Sequence, residues 1–258
     1  MPGHNWTMKK LGRWVAEKLG KPVSRSALRT ILKQANLSWK KCKKYLAKAD
    51  PEKRAQFVEQ FQLLYERMLR GEVRIIYIDE AHIHQDMDLG YTWSLKGESA
   101  WRSSTSPGRG KRINWYGAYD FTEGRTFIWE DGMCDGKNTI QFLQRLSTWL
   151  DESERQVVII WDGASYHRSE IVQAAVQDLG FQLLPLPSYS PDLNPIEGLW
   201  KWMREEVTQN HCHKFLYQLS LACRTFIDSI NLDPDSIIHR LWPKFDLDPD
   251  FEKLLFSN

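Results

Sequence analysis

Three acidic residues stand where a folded chain could gather them. Asp79 directly follows the apolar run VRIIYI, and Asp162 directly follows VVIIW. Glu197 lies in PSYSPDLNPIEGLWKWM, at a helix start behind an irregular, proline-rich loop. The two runs are rich in β-branched residues with almost no polar interruption, the pattern of strands buried on both faces. A carboxylate at the C-terminal end of such a strand sits where sheet enzymes place their chemistry. Acids arriving there from two strands and a helix offer only oxygen donors, which suits hard divalent cations: Mg2+, with Mn2+ as a substitute. Two such ions about 4 Å apart can activate a water on one side of a phosphodiester and stabilise the leaving oxygen on the other.

Each acid also has a plainer role open to it. Asp79-Glu80 could be a strand-end turn, and Asp162-Gly163 is a common turn dipeptide. With Asn194 as N-cap and Pro195 as the first helical residue, Glu197 would fall at the third position and complete a capping box. Glu80 reads as a residue that shapes local charge rather than a ligand, and Asp192 and Asn194 as residues that fix the loop backbone. Other chemistries find little support. Ser165 and Ser190 lack a nucleophile-elbow context, and the absence of a Walker-type glycine loop speaks against a nucleotide cofactor. Cys42, Cys134, Cys212 and Cys223 form no CxxC pair and read as reduced, dispersed thiols. His211-Cys212-His213 are too closely adjacent to share one tetrahedral zinc ion easily.

The segments YIDEAHI, WDGASYHRS and LPSYSPDLNPIEGLWKWMREEV, with 34 residues between Asp162 and Glu197, together resemble the bacterial insertion-sequence branch of the mariner superfamily of DDE transposases. The resemblance covers roughly residues 75–207, and its third segment is the most specific. It implies an RNase H-like catalytic domain with Asp79, Asp162 and Glu197 as catalytic acids and metal ligands. Asp79 would bridge both ions, Asp162 completing one shell and Glu197 the other. His167 and Asn194 become candidates for supporting positions near the site. Where many relatives have Asn after the second acid, this chain has Gly163. The implied activity is cut-and-paste transposition: metal-dependent cleavage at element ends, then strand transfer into target DNA by a homodimer holding two ends.

The elements that must position these residues follow from patterning. Strands are expected near 73–79, 91–96, 113–120, 125–130, 156–161 and 181–185, with helices near 138–150, 168–179, 194–210 and 214–230. An antiparallel group followed by βα units favours a mixed sheet with helices on both faces. The polar stretch SSTSPGRGKR, residues 103–112, reads as a mobile loop. In relatives an excursion of this kind clamps a partner subunit or DNA, and a plain surface hairpin is the other reading.

Charge divides the chain. Residues 1–70 carry 17 Lys/Arg against 5 Asp/Glu, a balance of +12, and the remainder carries 18 against 28, a balance of −10. A basic appendage on an acidic domain suggests a nucleic-acid partner, which the resemblance implies is double-stranded DNA: terminal inverted repeats and target. Met8, Leu11, Val15 and Leu19 fall at helical spacing up to Gly20, and Ser24 is placed to cap a second helix carrying Leu28, Ile31, Leu32 and Ala35. That second helix would present Arg25, Arg29 and Lys33 to the major groove. Lys40, Lys41, Lys43, Lys44 and Lys48 would neutralise phosphates in a basic connector. Asp50 and Pro51 suit the start of a long amphipathic helix with a stripe of Phe57, Val58, Phe61, Leu64, Tyr65 and Met68.

The expected fold class is α/β: an RNase H-like mixed sheet flanked by helices, preceded by a small all-α helix-turn-helix segment. Its boundaries are a helix-turn-helix with basic connector over 1–48, a linker helix over 49–71, the catalytic domain over 72–232 and a C-terminal tail over 233–258. Hydrophobic content of 42% with 12 Trp supports a real core. No apolar stretch approaches the roughly 20 residues of a spanning helix, and the start MPGHNWTMKK lacks the apolar run of a signal peptide. A cytoplasmic, nucleoid-associated protein without membrane contact is expected. Relatives usually carry two helix-turn-helix units, and one fits here, so the expectation includes an N-terminally truncated, split-frame or decayed copy. Two alternatives remain: a non-catalytic DNA-binding remnant that occupies element ends, and a general RNase H-fold nuclease.

Overall fold

A computed structural model describes residues 6–39, 50–105, 111–131, 135–150, 155–164 and 167–243. The chain divides into two compact units, Met1–Tyr45 and Leu46–Asn258. Lys40, Lys41, Lys43, Lys44 and Lys48, with Cys42, Cys134 and Ser165, lie outside the described residues, as do 106–110 of the polar loop.

In the first unit, α1 (Met8–Leu19) starts at Thr7, whose side chain accepts from the Lys10 amide, and stops at Gly20 in the left-handed conformation, φ 68°. Helix α2 (Arg25–Gln34) is capped by Ser24, whose hydroxyl accepts from the Ala27 amide at 3.2 Å. Both caps stand where the sequence puts them. The apolar face of α2 is only partly realised: Leu28 is buried, but Ile31 is 55% exposed. Arg25, Arg29 and Lys33 are exposed along the helix.

The second unit is built on a five-stranded mixed sheet in the order β3-β2-β1-β4-β5. Its strands are β1 (Val73–His84), β2 (Arg112–Asp120), β3 (Arg125–Asp131), β4 (Gln156–Trp161) and β5 (Gln182–Pro185). Strands β1 to β3 pair antiparallel, and β4 and β5 add in parallel to β1. Side chains alternate between faces along a strand, so β1 sends Ile75 and Tyr77 into one core cluster and Ile76 and Ile78 into another. Burial on both faces explains why VRIIYI shows almost no polar interruption. The first cluster is completed by α3 (Pro51–Leu69), α6 (Ile196–Val207), α7 (Leu216–Ile230) and α8 (Pro234–Arg240); the second by α4 (Gly136–Trp149) and α5 (Glu170–Asp178). Arg74 and Asp120 form a buried pair at 2.6 Å, and the same guanidinium donates to the Leu150 carbonyl. Asp120 Oδ1 also accepts from the Thr122 and Glu123 amides, which fixes the β2–β3 turn.

Three expectations need correction. No strand forms over 91–96: Tyr91 and Trp93 are fully exposed and Leu95 is 71% exposed. Their alternation mimics a strand, but neither face finds anything to pack on. The helix over 51–69 belongs to the sheet's unit rather than to a separate linker segment, because Phe57, Phe61 and Leu64 enter the sheet's core, with Val58, Tyr65 and Met68 packed against it. The stretch from 233 is not simply a tail: α8 buries Ile237, followed by Leu241.

Candidate active site

Strand register brings the first two acids together. The last parallel pair between β1 and β4 is Tyr77 with Ile160, and Asp79 and Asp162 each stand two residues beyond it. Adjacent strands lie about 4.8 Å apart, so the two carboxylates emerge side by side at one sheet end. The strand also runs further than its acid: β1 continues to His84 on the β2 side alone.

Glu197 arrives from α6. Leu186 donates its amide to the Trp161 carbonyl at 2.8 Å, which keeps the chain beside β4 as it leaves β5. The loop then turns through Tyr189, at φ 62°, and a 3-10 turn over Pro191–Leu193. Leu193 and Ile196 are wholly buried and anchor this turn. Asp192 reaches back to α3, where Arg54 Nη2 meets its carboxylate at 2.6 Å. It therefore ties the loop to a helix rather than capping the loop's own backbone. The N-cap of α6 is Pro195 and no side-chain cap bond is present, so Glu197 is the second helical residue and the capping-box role falls away.

Asp79, Asp162 and Glu197 line one cavity of about 380 Å³, together with Gly163, Ala164 and the loop from Leu186 to Asn194. Burial pushes the Asp79 carboxyl well above the usual carboxylate range, and the charges of Glu197 and Glu80 push it further. Glu197 is raised by surrounding protein and by Asp162, with Arg204 opposing. Like charges facing one another at a partly desolvated point disfavour ionisation unless a cation neutralises them.

Asp162 is held differently. Its Oδ1 accepts from His167 Nδ1 and from the Ala164 amide, both at 3.0 Å, and its pKa is lowered chiefly by the His167 bond. His167 is 1% exposed and stacks on Trp161 with ring centroids 4.3 Å apart. Its Nε2 meets Glu80 Oε1 at 3.0 Å. Burial opposes the charged imidazole, but the bonds to Asp162 and Glu80 prevail and push its pKa up to about 9. His167 therefore links the second acid to the residue beside the first. Asn194, the other supporting candidate, is buried at the cavity wall, and its Oδ1 has no hydrogen-bond partner. So does Ser190, with its hydroxyl likewise unpartnered. Trp200, not singled out in the sequence as a candidate, donates its Nε1–H to Asp79 Oδ2 at 3.1 Å.

The donor set fits a hard divalent cation: three carboxylates line one cavity, and burial with neighbouring carboxylates raises Asp79 and Glu197. As the side chains stand, no three His, Cys, Asp or Glu among the described residues form a closed metal cluster. One reason is visible, since Asp162 turns an oxygen to His167 and Ala164. Of the His211-Cys212-His213 run, His213 is buried and bonded to the Val207 carbonyl at 2.9 Å, a structural role.

Comparison with known proteins agrees with this geometry. Residues 74–220 match the family described as DDE superfamily endonuclease, and residues 2–61 match the one described as winged helix-turn helix. A curated relative, the insertion element IS630 uncharacterized 39 kDa protein of Shigella sonnei, is 25% identical over 236 residues. The alignment covers 89% of this chain and 66% of that protein, so the chain spans just under two thirds of its length. Among solved structures, the Mos1 mariner paired end complex with Mn shares the fold at TM-score 0.66 and 20% identity, over 98% of this chain and 74% of that one. A pre-cleavage Mos1 transpososome matches at TM-score 0.67 and 19% identity, over 100% and 80%. The catalytic domain of Mos1 mariner transposase matches at TM-score 0.55 and 18% identity, over 84% and 97%.

Proposed function

Since the chain belongs to the DDE superfamily endonucleases, we propose that it is the transposase of a bacterial insertion sequence, cleaving DNA at the element's ends and joining the freed 3′-hydroxyl to target DNA. One observation carries this most: Asp79 from within β1, Asp162 just past the end of β4 and Glu197 from the start of α6 line a single cavity. Family membership and the kinship with an IS630 protein supply the reaction class.

In this mechanism Asp79, Asp162 and Glu197 would hold a pair of Mg2+ ions, with Mn2+ as a substitute. When bound, the ions supply activation of the attacking oxygen and neutralisation of the leaving one. The chain's residues do the rest. His167 keeps Asp162 ionised and oriented, and Glu80 in turn orients His167. The loop from Pro187 to Asn194, tied down through Asp192 and Arg54, walls the cavity. Double-stranded DNA is the substrate and helix α2 its reader, with Arg25, Arg29 and Lys33 turned outward and the lysines of 40–44 on phosphates. The chain works as a homodimer holding two terminal inverted repeats. The excursion between β1 and β2, where Tyr91, Trp93 and Trp101 are almost wholly exposed, is the surface assigned to the second subunit. No helix of the described residues is long and apolar enough to cross a membrane, and the place of action is the bacterial nucleoid.

The test uses inverted repeats taken from the DNA that flanks the gene. The full chain is incubated with Mg2+ and a terminal-repeat duplex, a random duplex or an RNA–DNA hybrid, while light scattering gives the complex's stoichiometry. A transposase nicks the repeat end selectively, as two chains per pair of ends. Preferential hybrid cleavage would instead mark a general nuclease, and binding without cleavage a DNA-binding remnant.

A further inference from the structure

Helix α6 carries the third acid, and it also grips the first. Trp200 is buried, at 1% exposed, and its indole N–H donates to Asp79 Oδ2 at 3.1 Å. Glu197 and Trp200 are three positions apart on that helix and so stand on neighbouring turns of one side. The far edge of the indole lies over Gly117, the cross-strand partner of Asp79 in the β1–β2 register. A Cβ on Gly117 would come within 2.4 Å of Trp200 Cη2 and 2.5 Å of Cζ2, and 3.3 Å from Ile196 Cδ1. A Cβ essentially never comes as close to a ring carbon as the first two of these distances. Gly117 has no positive φ, so space rather than backbone conformation demands glycine there.

We propose that Trp200 is a positioning residue for metal-dependent cleavage, seated in a slot that only Gly117 leaves open, and that it fixes the Asp79 carboxylate relative to Glu197. The proposal rests on the assignment of Asp79 and Glu197 as metal ligands. The slot and the hydrogen bond together set one distance, from the sheet's first acid to the helix that bears the last. A shift of α6 along the sheet would move Glu197 and release Asp79 together. Groups that orient metal ligands from behind typically change metal affinity by about 10–100-fold when removed.

The experiment measures Mn2+ binding to the full chain by electron paramagnetic resonance, with thermal melts alongside, for wild type, Trp200→Phe, Gly117→Ala and the double variant. Trp200→Phe keeps a buried ring but removes the N–H. It should melt cooperatively and bind Mn2+ about 10–100-fold more weakly. Gly117→Ala should lower both the melting temperature and Mn2+ affinity. In the double variant the benzyl ring lacks the two atoms that a Cβ on residue 117 would strike. Melting temperature should recover relative to Gly117→Ala alone, while Mn2+ affinity stays low, a non-additive pattern that a purely structural Trp200 would not produce. A Trp200→Phe variant that binds Mn2+ as wild type does would overturn the positioning role and leave the metal site standing. A wild type that binds no Mn2+ would overturn both.

Discussion

Asp79 occupies a setting hostile to a bare carboxylate. Burial comes first among the causes that lift its pKa, followed by the charges of Glu197 and Glu80. A group whose pKa is higher folded than unfolded favours the folded state below its unfolded value and loses that contribution as pH rises through the folded value. Asp79→Asn removes this penalty. In buffer free of divalent cations it should raise stability at pH 8 by on the order of 1 kcal/mol, a rise of about 2–4 °C in melting temperature. The gain should vanish near pH 4, where wild-type Asp79 is protonated. Melting curves across that range check this, and an equal gain at every pH would contradict it. The three acids were legible as residue types at strand ends and a helix start. Their partners were not, because Trp200 lies 121 positions from Asp79 and His167 lies 87 from Glu80. Only the fold closes such distances. Glu197 illustrates the converse: local pattern offered it a capping role, and the loop's 3-10 turn shifted the helix start so that the role disappeared.

Elements were recovered where two independent signals agreed. Ser24, Gly20 and Asp50 combine a cap residue with a change of periodicity, and all three mark real helix ends. Alternation alone misled at 91–96, since a strand needs a neighbour to hydrogen-bond and a face to bury. The helix at 234–240 escaped notice because it is short and contributes little more than Ile237 and the following Leu241 to the core. Helix α2 makes a prediction at this scale. If it enters the major groove, Arg25→Ala or Arg29→Ala should relax sequence preference by about 1–3 kcal/mol at one base pair, whereas Lys43→Ala should weaken all sequences alike. Binding by the full chain should fall steeply with salt, and the lysine change should flatten that slope by about one ion. Competition binding at several salt concentrations reads both. Uniform weakening by the arginine changes would place α2 on the backbone instead.

At the scale of the whole molecule, the chain forms two compact units of opposite charge, a basic one of small helices and an acidic one built on the sheet. The acidic balance of the larger unit makes sense if its site concentrates carboxylates for cations while recognition is left to the smaller one. The mixed character of the sheet was legible from the order of patterns, an antiparallel group followed by βα units. The stripe of α3 left two surfaces open, the catalytic domain or a partner subunit, and the sheet's core takes it. The central claim is that three acids act together on a metal-dependent cut, and Glu197→Gln tests it most directly. Gln keeps the shape and loses the charge, and since Glu197 makes no cap bond in α6 the fold should hardly notice. The measurement is Mg2+-dependent nicking of a terminal-repeat duplex by wild type and Glu197→Gln, with melting curves for both. The account predicts loss of nicking by at least about 100-fold, on the scale of losing one electrostatic element of a catalytic site, with the melting temperature almost unchanged. A variant that nicks as fast as wild type would contradict it.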